Sequence, residues 1–333
     1  MKKFLSVFAA MASVAALSLG FGLTADAAPA GKPIVLKFAH HQQPDSPAGL
    51  ACQRLAERIM KKSDGRIEVR VFPAEQLGNE KSVFEQLASG TVDLSTFGFG
   101  IIGSRSPSSL AMEMGYMFEN YDHLVKFLDS DVFGEIVQDA VGKARVRIGG
   151  AYYNGTRHTT TSKAPVTDPA SMRGVKLRVP NSEMLLATFK AMGCAPTPMA
   201  FSEVYMALQN GTIDGQENPI PTIVAMRFYE VQKYLCLTAH MVQAATFTAS
   251  QKSLDKLPED LRAIVLEEMK EEANVTSAEV LKREVDELEL LKQKGMEVVE
   301  TDNAAFKAEV EKIIPTFETK WGVGLYARIQ ATK

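Results

Sequence analysis

Apolar and polar residues alternate with period two over Ile67-Glu68-Val69-Arg70-Val71-Phe72, whereas Ala48, Leu50, Ala51, Leu55, Ile59 and Met60 recur at helical spacing opposite Arg54, Glu57, Arg58, Lys61 and Lys62. The first pattern predicts a strand and the second an amphipathic helix. An apolar, β-branched run over 34–39 precedes them, broken by the polar stretch His40-His41-Gln42-Gln43-Pro44-Asp45. Residues 83–87 read as a helix stopped at Gly90, and 92–97 as a third strand. Strand and helix alternate again in the second half: 146–148 leads to 151–153, then come a strand at 175–179, helices at 183–192 and 201–209, and a strand entry at Ile213-Asp214-Gly215. Such alternation predicts an α/β protein of mixed, mostly parallel sheets covered by helices, here two sheets making two lobes. Between Pro258 and Lys294 neither proline nor glycine occurs, and Leu261, Ile264, Val265, Met269, Val280, Leu281, Val285, Leu288 and Leu291 keep a helical rhythm. A helix of that length runs roughly 50 Å and is predicted to brace both lobes. The heptad fails over 271–277, which argues against a coiled coil.

The N-terminus changes the setting. Lys2 and Lys3 open it, residues 4–23 are apolar or small, and Ala25-Asp26-Ala27 closes it with small residues at the spacing of a cleavage site. Residues 1–27 therefore read as a cleavable signal peptide, with no cysteine behind it for lipid attachment. The remaining chain of about 300 residues is long enough for two lobes. A formal net charge of −3 with both signs interspersed argues against nucleic acid as a partner. The three cysteines, Cys52, Cys194 and Cys236, are odd in number and widely spaced, so three small buried residues are expected rather than a disulfide framework.

Gly98-Phe99-Gly100-Ile101-Ile102-Gly103 has the spacing of a dinucleotide-binding turn. That motif requires a helix whose amides hold the pyrophosphate, and Pro107 would fall within its first turns. It also belongs to the first strand of such a fold, whereas here two strands precede it. What survives is local: small residues allow a ligand to approach the backbone. No G-x-S-x-G elbow, H-E-x-x-H or paired-cysteine spacing nominates a nucleophile or a metal. His40 and His41 are adjacent on an extended segment and point to opposite sides, so they do not share a metal. No cofactor is implied, and an exported hydrolase is the weaker alternative class.

Three stretches carry binding chemistry: Tyr153-Asn154-Gly155-Thr156-Arg157-His158, Val175-Lys176-Leu177-Arg178-Val179-Pro180-Asn181 and Asp214-Gly215-Gln216-Glu217-Asn218-Pro219. Arg178 ends a strand, where the crevice of an open α/β sheet takes ligands, and a guanidinium there matches a carboxylate. The same arginine could also be a surface ion-pair member, and the third stretch an ordinary loop. The phrases "AYYNGTRHTTTSK", "MRGVKLRVPNSEM", "PTPMAFSEVYMALQNGTIDGQENP" and "FYEVQKYL" resemble the solute-binding subunits of tripartite ATP-independent periplasmic (TRAP) transporters, especially their sialic-acid-binding branch. "LKFAHHQQPDSP", "AEQLGNEKSVFEQLASGTVDL" and "LPEDLRAIV" extend the likeness over most of the chain after residue 27.

The resemblance implies a periplasmic, non-enzymatic Venus-flytrap clamp, monomeric, that closes on a small organic acid and delivers it to the small and large membrane subunits of the transporter. It assigns residues 31–154 and 243–282 to the first lobe and 155–242 and 283–330 to the second, with the ligand cleft between them. By the same likeness Arg178 forms a double salt link to the ligand carboxylate, Arg157 assists, Asn218 and Asn181 supply polar contacts, and Phe201 presses an aromatic face on the ligand. His41, Gln42 and Glu80 are implied from the first lobe. One departure concerns the wall after the third strand. The sialic-acid branch has an acidic residue there that reads the hydroxylated tail of the sugar, and this chain has Gly98 between Phe97 and Phe99. A less polar wall formed by Gly98 and Phe99 would suit an aromatic acid such as an indole or phenyl carboxylate as well as a sugar acid, unless the phenylalanines pack in the core. A binding protein that serves a sensor receptor instead of a transporter is a further alternative.

Overall fold

The structure is a computed structural model describing residues 31–333; the segment assigned as a signal peptide lies outside the described residues. The strands are β1 (Ile34–Ala39), β2 (Ile67–Phe72), β3 (Leu94–Gly98), β4 (Val146–Thr161), β5 (Lys176–Val179), β6 (Ala195–Pro198), β7 (Gly215–Pro219), β8 (Tyr234–Ser250) and β9 (Glu297–Val299). They are joined by hydrogen bonds in the order β2-β1-β3-β8-β4-β7-β5-β6, with β9 on β8. β1 is parallel to β2 and β3, and β5 is parallel to β6 and β7.

Two separate sheets are expected from the sequence pattern. Instead the strand path is continuous, because β4 and β8 run antiparallel to one another through both lobes. The first part of β4, up to Tyr153, pairs with β8 over Ala244–Ser250, and that part of β8 pairs with β3. The last part of β4, Arg157 to Thr161, lies between β7 and the N-terminal end of β8. Register shifts at Ile148/Gly150, Tyr153/Gly155 and Arg157/Thr159 let the long ladder bend between the two halves.

Hydropathy announces only the first part of β4, over 146–153, and neither its end nor β8. The interior of β8 buries Thr238, His240, Gln243, Thr246 and Thr248 among its apolar residues, and the end of β4 buries Arg157, His158, Thr159, Thr160 and Thr161. Polar groups so buried must find partners. Thr159 donates its amide to Thr238 Oγ1 at 3.2 Å, and Thr160 Oγ1 donates to Gln232 at 2.9 Å.

The long helix spans Glu259–Gln293 and packs on β4, on the helix Pro47–Lys62 and on the short helix Ile220–Ala225. Its buried carboxylates pair with the first of these helices through Arg54–Glu272 at 2.8 Å and Arg58–Glu268 at 2.6 Å. It also fastens the bend of β4 from both sides. Ser277 Oγ accepts the Tyr153 amide at 3.0 Å, and Glu284 accepts the Thr156 amide at 2.5 Å and the Tyr153 hydroxyl at 2.6 Å. The expected bracing role has this geometry. All three cysteines are buried and free.

Candidate functional site

The bend of β4 and the ends of β3, β5 and β7 surround a cavity. Nine of the ten residues nominated from sequence line it: His41, Gln42, Glu80, Gly98, Arg157, Arg178, Asn181, Phe201 and Asn218. Phe99 does not. It is fully buried and packs edge-on against Phe133 at 6.1 Å between centroids, while Phe97 packs edge-on against Phe84 at 5.9 Å. The reason is local. After Gly98 the chain leaves β3 for a short helical turn, Phe99–Gly103, which aims Phe99 into the core. Of the wall expected there, Phe97 and Gly98 line the cavity, and the placement of Phe99 in it is corrected.

The two arginines differ in their partners. Arg157 is 3% exposed and its guanidinium grips Glu217, Nε to Oε2 at 2.5 Å and Nη2 to Oε1 at 2.7 Å. Nη2 also donates to the Glu217 carbonyl at 2.7 Å, and Nη1 donates to Gln243 Oε1 at 2.8 Å. His40's neighbour in type, His240, closes the network from β8, its Nε2 lying 2.9 Å from Glu217 Oε2. Burial pushes the Glu217 carboxyl up, but Arg157 and His240 outweigh it and hold the group at about 2. Sequence reasoning did not nominate Glu217 or His240; both sit on buried strands whose polar residues resemble a loop in hydropathy.

Arg178 is 2% exposed and sits on β5, whose outer face turns from solvent at Lys176 to the cavity at Arg178. Nε and Nη2 both donate to the Met199 carbonyl, at 3.2 and 2.8 Å. Among the described residues no carboxylate lies within ion-pair distance of it. Burial lowers its guanidinium to about 10, with Glu217 opposing and Arg157 adding to the shift. Its other neighbour is the ring of Phe201, whose centroid is 5.8 Å from the guanidinium carbon. A buried cation left without a counter-charge is costly, and an anion entering the cavity removes that cost.

The remaining nominees frame this cation. His41 meets the Phe201 ring edge-on at 5.6 Å, its Nδ1 faces Glu80 at 3.4 Å and its Nε2 lies 2.8 Å from Gln42. Asn218 Nδ2 donates to Gln216 Oε1 at 2.6 Å, and the residue lines the cavity. Asn181 stands exposed at the rim. Two lining residues have no sequence signal. Gln243 lies within β8, and Glu113, 4% exposed, ends the helical turn Pro107–Glu113. Burial raises the Glu113 carboxyl above the usual range, with Arg157 and the Gly100 amide opposing. A carboxyl group, Glu113, thus lines the same cavity as Gly98, supplied by a later element.

The model of the bacterial extracellular solute-binding proteins of family 7 matches residues 38–320. The sialic acid-binding periplasmic protein of Vibrio cholerae is 33% identical over 282 residues, covering 84% of this chain and 87% of that protein. A TRAP periplasmic solute-binding protein from Roseobacter denitrificans, solved with bound L-galactonate, superposes with a TM-score of 0.84 at 31% identity, covering 90% of this chain and 99% of that one. One from Polaromonas, bound to D-erythronate, gives 0.86 at 30% identity with the same coverage. A match across nearly the whole described chain, joined to a two-lobed fold around a buried cavity, settles the affiliation: the chain belongs to the bacterial extracellular solute-binding proteins of family 7, the binding proteins of TRAP transporters.

Proposed function

We propose that this protein captures a small organic acid in the periplasm by pairing the acid's carboxylate with Arg178, and passes it to the membrane subunits of a TRAP transporter without transforming it. The observation that carries the reading is the contrast between the two cavity arginines. Arg157 has its charge met by Glu217, whereas Arg178, equally buried, has only a backbone carbonyl and an aromatic face. Its planar fork can give a carboxylate two parallel hydrogen bonds and fix its orientation. Phe201, Asn218 and Asn181 would then border the ligand from one lobe, and His41, Gln42 and Glu80 from the other. Lobes of 31–154 with 243–282, and 155–242 with 283–330, fit the register shift at Tyr153/Gly155, where the hinge of the clamp would lie.

A hydroxylated sugar acid is favoured as the guest over an aromatic acid. Related binding proteins hold L-galactonate and D-erythronate, and of the two phenylalanines beside Gly98 one, Phe99, faces the core. Substitution tests the reading. Arg178→Ala should weaken acid binding by about 3–5 kcal/mol, roughly 10²–10⁴-fold, and Arg178→Lys by about 1–3 kcal/mol, because the fork is lost though the charge remains. Unliganded Arg178→Ala should melt no lower than the parent, since an unpaired buried cation is removed. Undiminished calorimetric affinity in Arg178→Ala would refute the assignment.

A further inference from the structure

Glu113 and Gln243 border the cavity wall at Gly98. A Cβ at Gly98 would stand 2.8 Å from Glu113 Oε1 and 3.6 Å from Gln243 Nε2, and one at Gly100 would meet Ser182 Oγ at 3.0 Å and Glu113 Oε2 at 3.2 Å. Gly98 has an ordinary φ of −69°, so a side chain there would be limited by the Glu113 carboxyl and not by the backbone. Gln243 is fixed in orientation because its Oε1 accepts from both Arg157 Nη1 at 2.8 Å and Asn154 Nδ2 at 2.9 Å. Its NH₂ group is left toward the Gly98 wall, without a hydrogen-bond partner among the described residues. The Glu113 carboxyl likewise has no side-chain donor among the described residues, and Arg157, the nearest guanidinium, is engaged by Glu217.

We propose that Glu113 and Gln243 form a hydroxyl-reading subsite on the Gly98 wall, which selects acids hydroxylated along the chain over deoxygenated or aromatic acids of the same charge. This deepens the reading above and rests on Arg178 taking the carboxylate. A hydroxyl is at once a donor and an acceptor, so one such group satisfies the carboxyl and the amide NH₂ together. A methylene or a ring edge offers neither group a hydrogen bond in exchange for the water it displaces. Sites that hydrogen-bond a substrate hydroxyl reject analogues lacking it far more strongly than apolar pockets reject an extra group.

Calorimetry with L-galactonate, D-erythronate, hexanoate and indole-3-acetate on the parent, Glu113→Ala, Glu113→Gln and Arg178→Ala tests this. The parent should prefer L-galactonate or D-erythronate to hexanoate by at least about a hundredfold. In Glu113→Ala that ratio should collapse by at least about tenfold while hexanoate affinity stays the same or rises. Glu113→Gln, which keeps the shape and is neutral, should give an intermediate ratio, and it serves as the readout if the alanine variant does not fold. A parent-like ratio in the folded Glu113 variants, or a parent that binds hexanoate or indole-3-acetate as well as the hydroxylated acids, overturns the subsite. Unweakened binding in Arg178→Ala would instead overturn the carboxylate anchor, leaving the Glu113 ratio to be judged by itself. If no acid binds the parent, both readings fall.

Discussion

Arg157 on β4 and Arg178 on β5 flank β7 in one cavity, and their partners give them opposite consequences for stability. Removing Glu217 would leave Arg157 buried and unpaired, and would also strip His240 of its acceptor. Glu217→Ala should therefore destabilise the fold by about 3–5 kcal/mol, read from urea midpoints, whereas Arg178→Ala should not. Two histidines set the acid limit. Burial lowers His40 to about 4, helped by His41, and lowers His158 to about 3, helped by His240. Because the unfolded chain protonates them near 6.5 and the folded one does not, their stability is complete above that pH and is lost as pH falls. Between pH 6.5 and 5 each should cost about 2 kcal/mol. Glu113, Glu272, Glu284 and Glu287, raised by burial, act in the opposite direction. A substitution isolates the histidine share: His40→Phe should lose about 2 kcal/mol less than the parent between those pH values. An unchanged loss would mean His40 does not titrate between the states. Among single residues, Arg178 was legible because strand alternation placed it at a crevice and a family phrase surrounded it. Glu113 was not, since it ends a helical turn inside the apolar phrase Leu110-Ala111-Met112-Glu113-Met114, where no periodicity marks a face.

At the scale of elements, the parallel strands and the helices between them follow hydropathy, because one face of each is apolar. The helix Pro47–Lys62 buries Ala48, Ala51, Leu55 and Ile59 of the positions its spacing predicts, whereas Leu50 is exposed and Met60 half-buried. The long helix also has the predicted extent, although its burial includes Glu268, Glu272 and Glu287 as well as apolar residues. β8 and the end of β4 escaped because their cavity-side and cross-lobe segments bury hydroxyls, amides and imidazoles that pair with each other rather than with water. Where the long helix crosses β4 the approach is close: a Cβ on Gly150 would stand 2.3 Å from the Met269 carbonyl oxygen, a backbone atom that cannot step aside. Gly150→Ala should accordingly push the helix off the sheet and cost at least about 1–3 kcal/mol. Gly134 is the control. It lies in the helix Asp131–Asp139 with nothing near its missing Cβ, so Gly134→Ala should stabilise by about 0.5–1 kcal/mol. Equal melting temperatures for these two variants would mean that the helix–sheet contact is looser than its geometry.

For the molecule as a whole, the proposed clamp works only if the ligand favours the closed arrangement over the open one, which requires contacts from both lobes. The cleft already carries two contacts of its own. Ser202 Oγ donates to Glu75 Oε2 at 2.6 Å, and the His41 ring meets Phe201 edge-on. Glu75 sits at φ 60° next to Ala74 at φ 48°, and consecutive left-handed residues without glycine are costly unless the surroundings hold them. The holding bonds are the Glu75 amide to the His40 carbonyl at 3.2 Å and the Gly78 amide to the Glu75 carbonyl at 2.8 Å. The side chain of Glu75 is thus presented to the other lobe by a loop that does not depend on the ligand. Ser202→Ala removes one solvent-accessible hydrogen bond of about 0.5–1.5 kcal/mol from the closed state, so every ligand should bind about 2–10-fold more weakly. The loss should fall on the dissociation rate in stopped-flow measurements, because the bond forms only after the lobes meet. The ratio of L-galactonate to hexanoate affinity should stay at the parental value, since Ser202 does not reach the Gly98 wall. A Ser202→Ala variant that changed this ratio, or that slowed association while leaving dissociation alone, would show that the contact belongs to ligand recognition and not to closure.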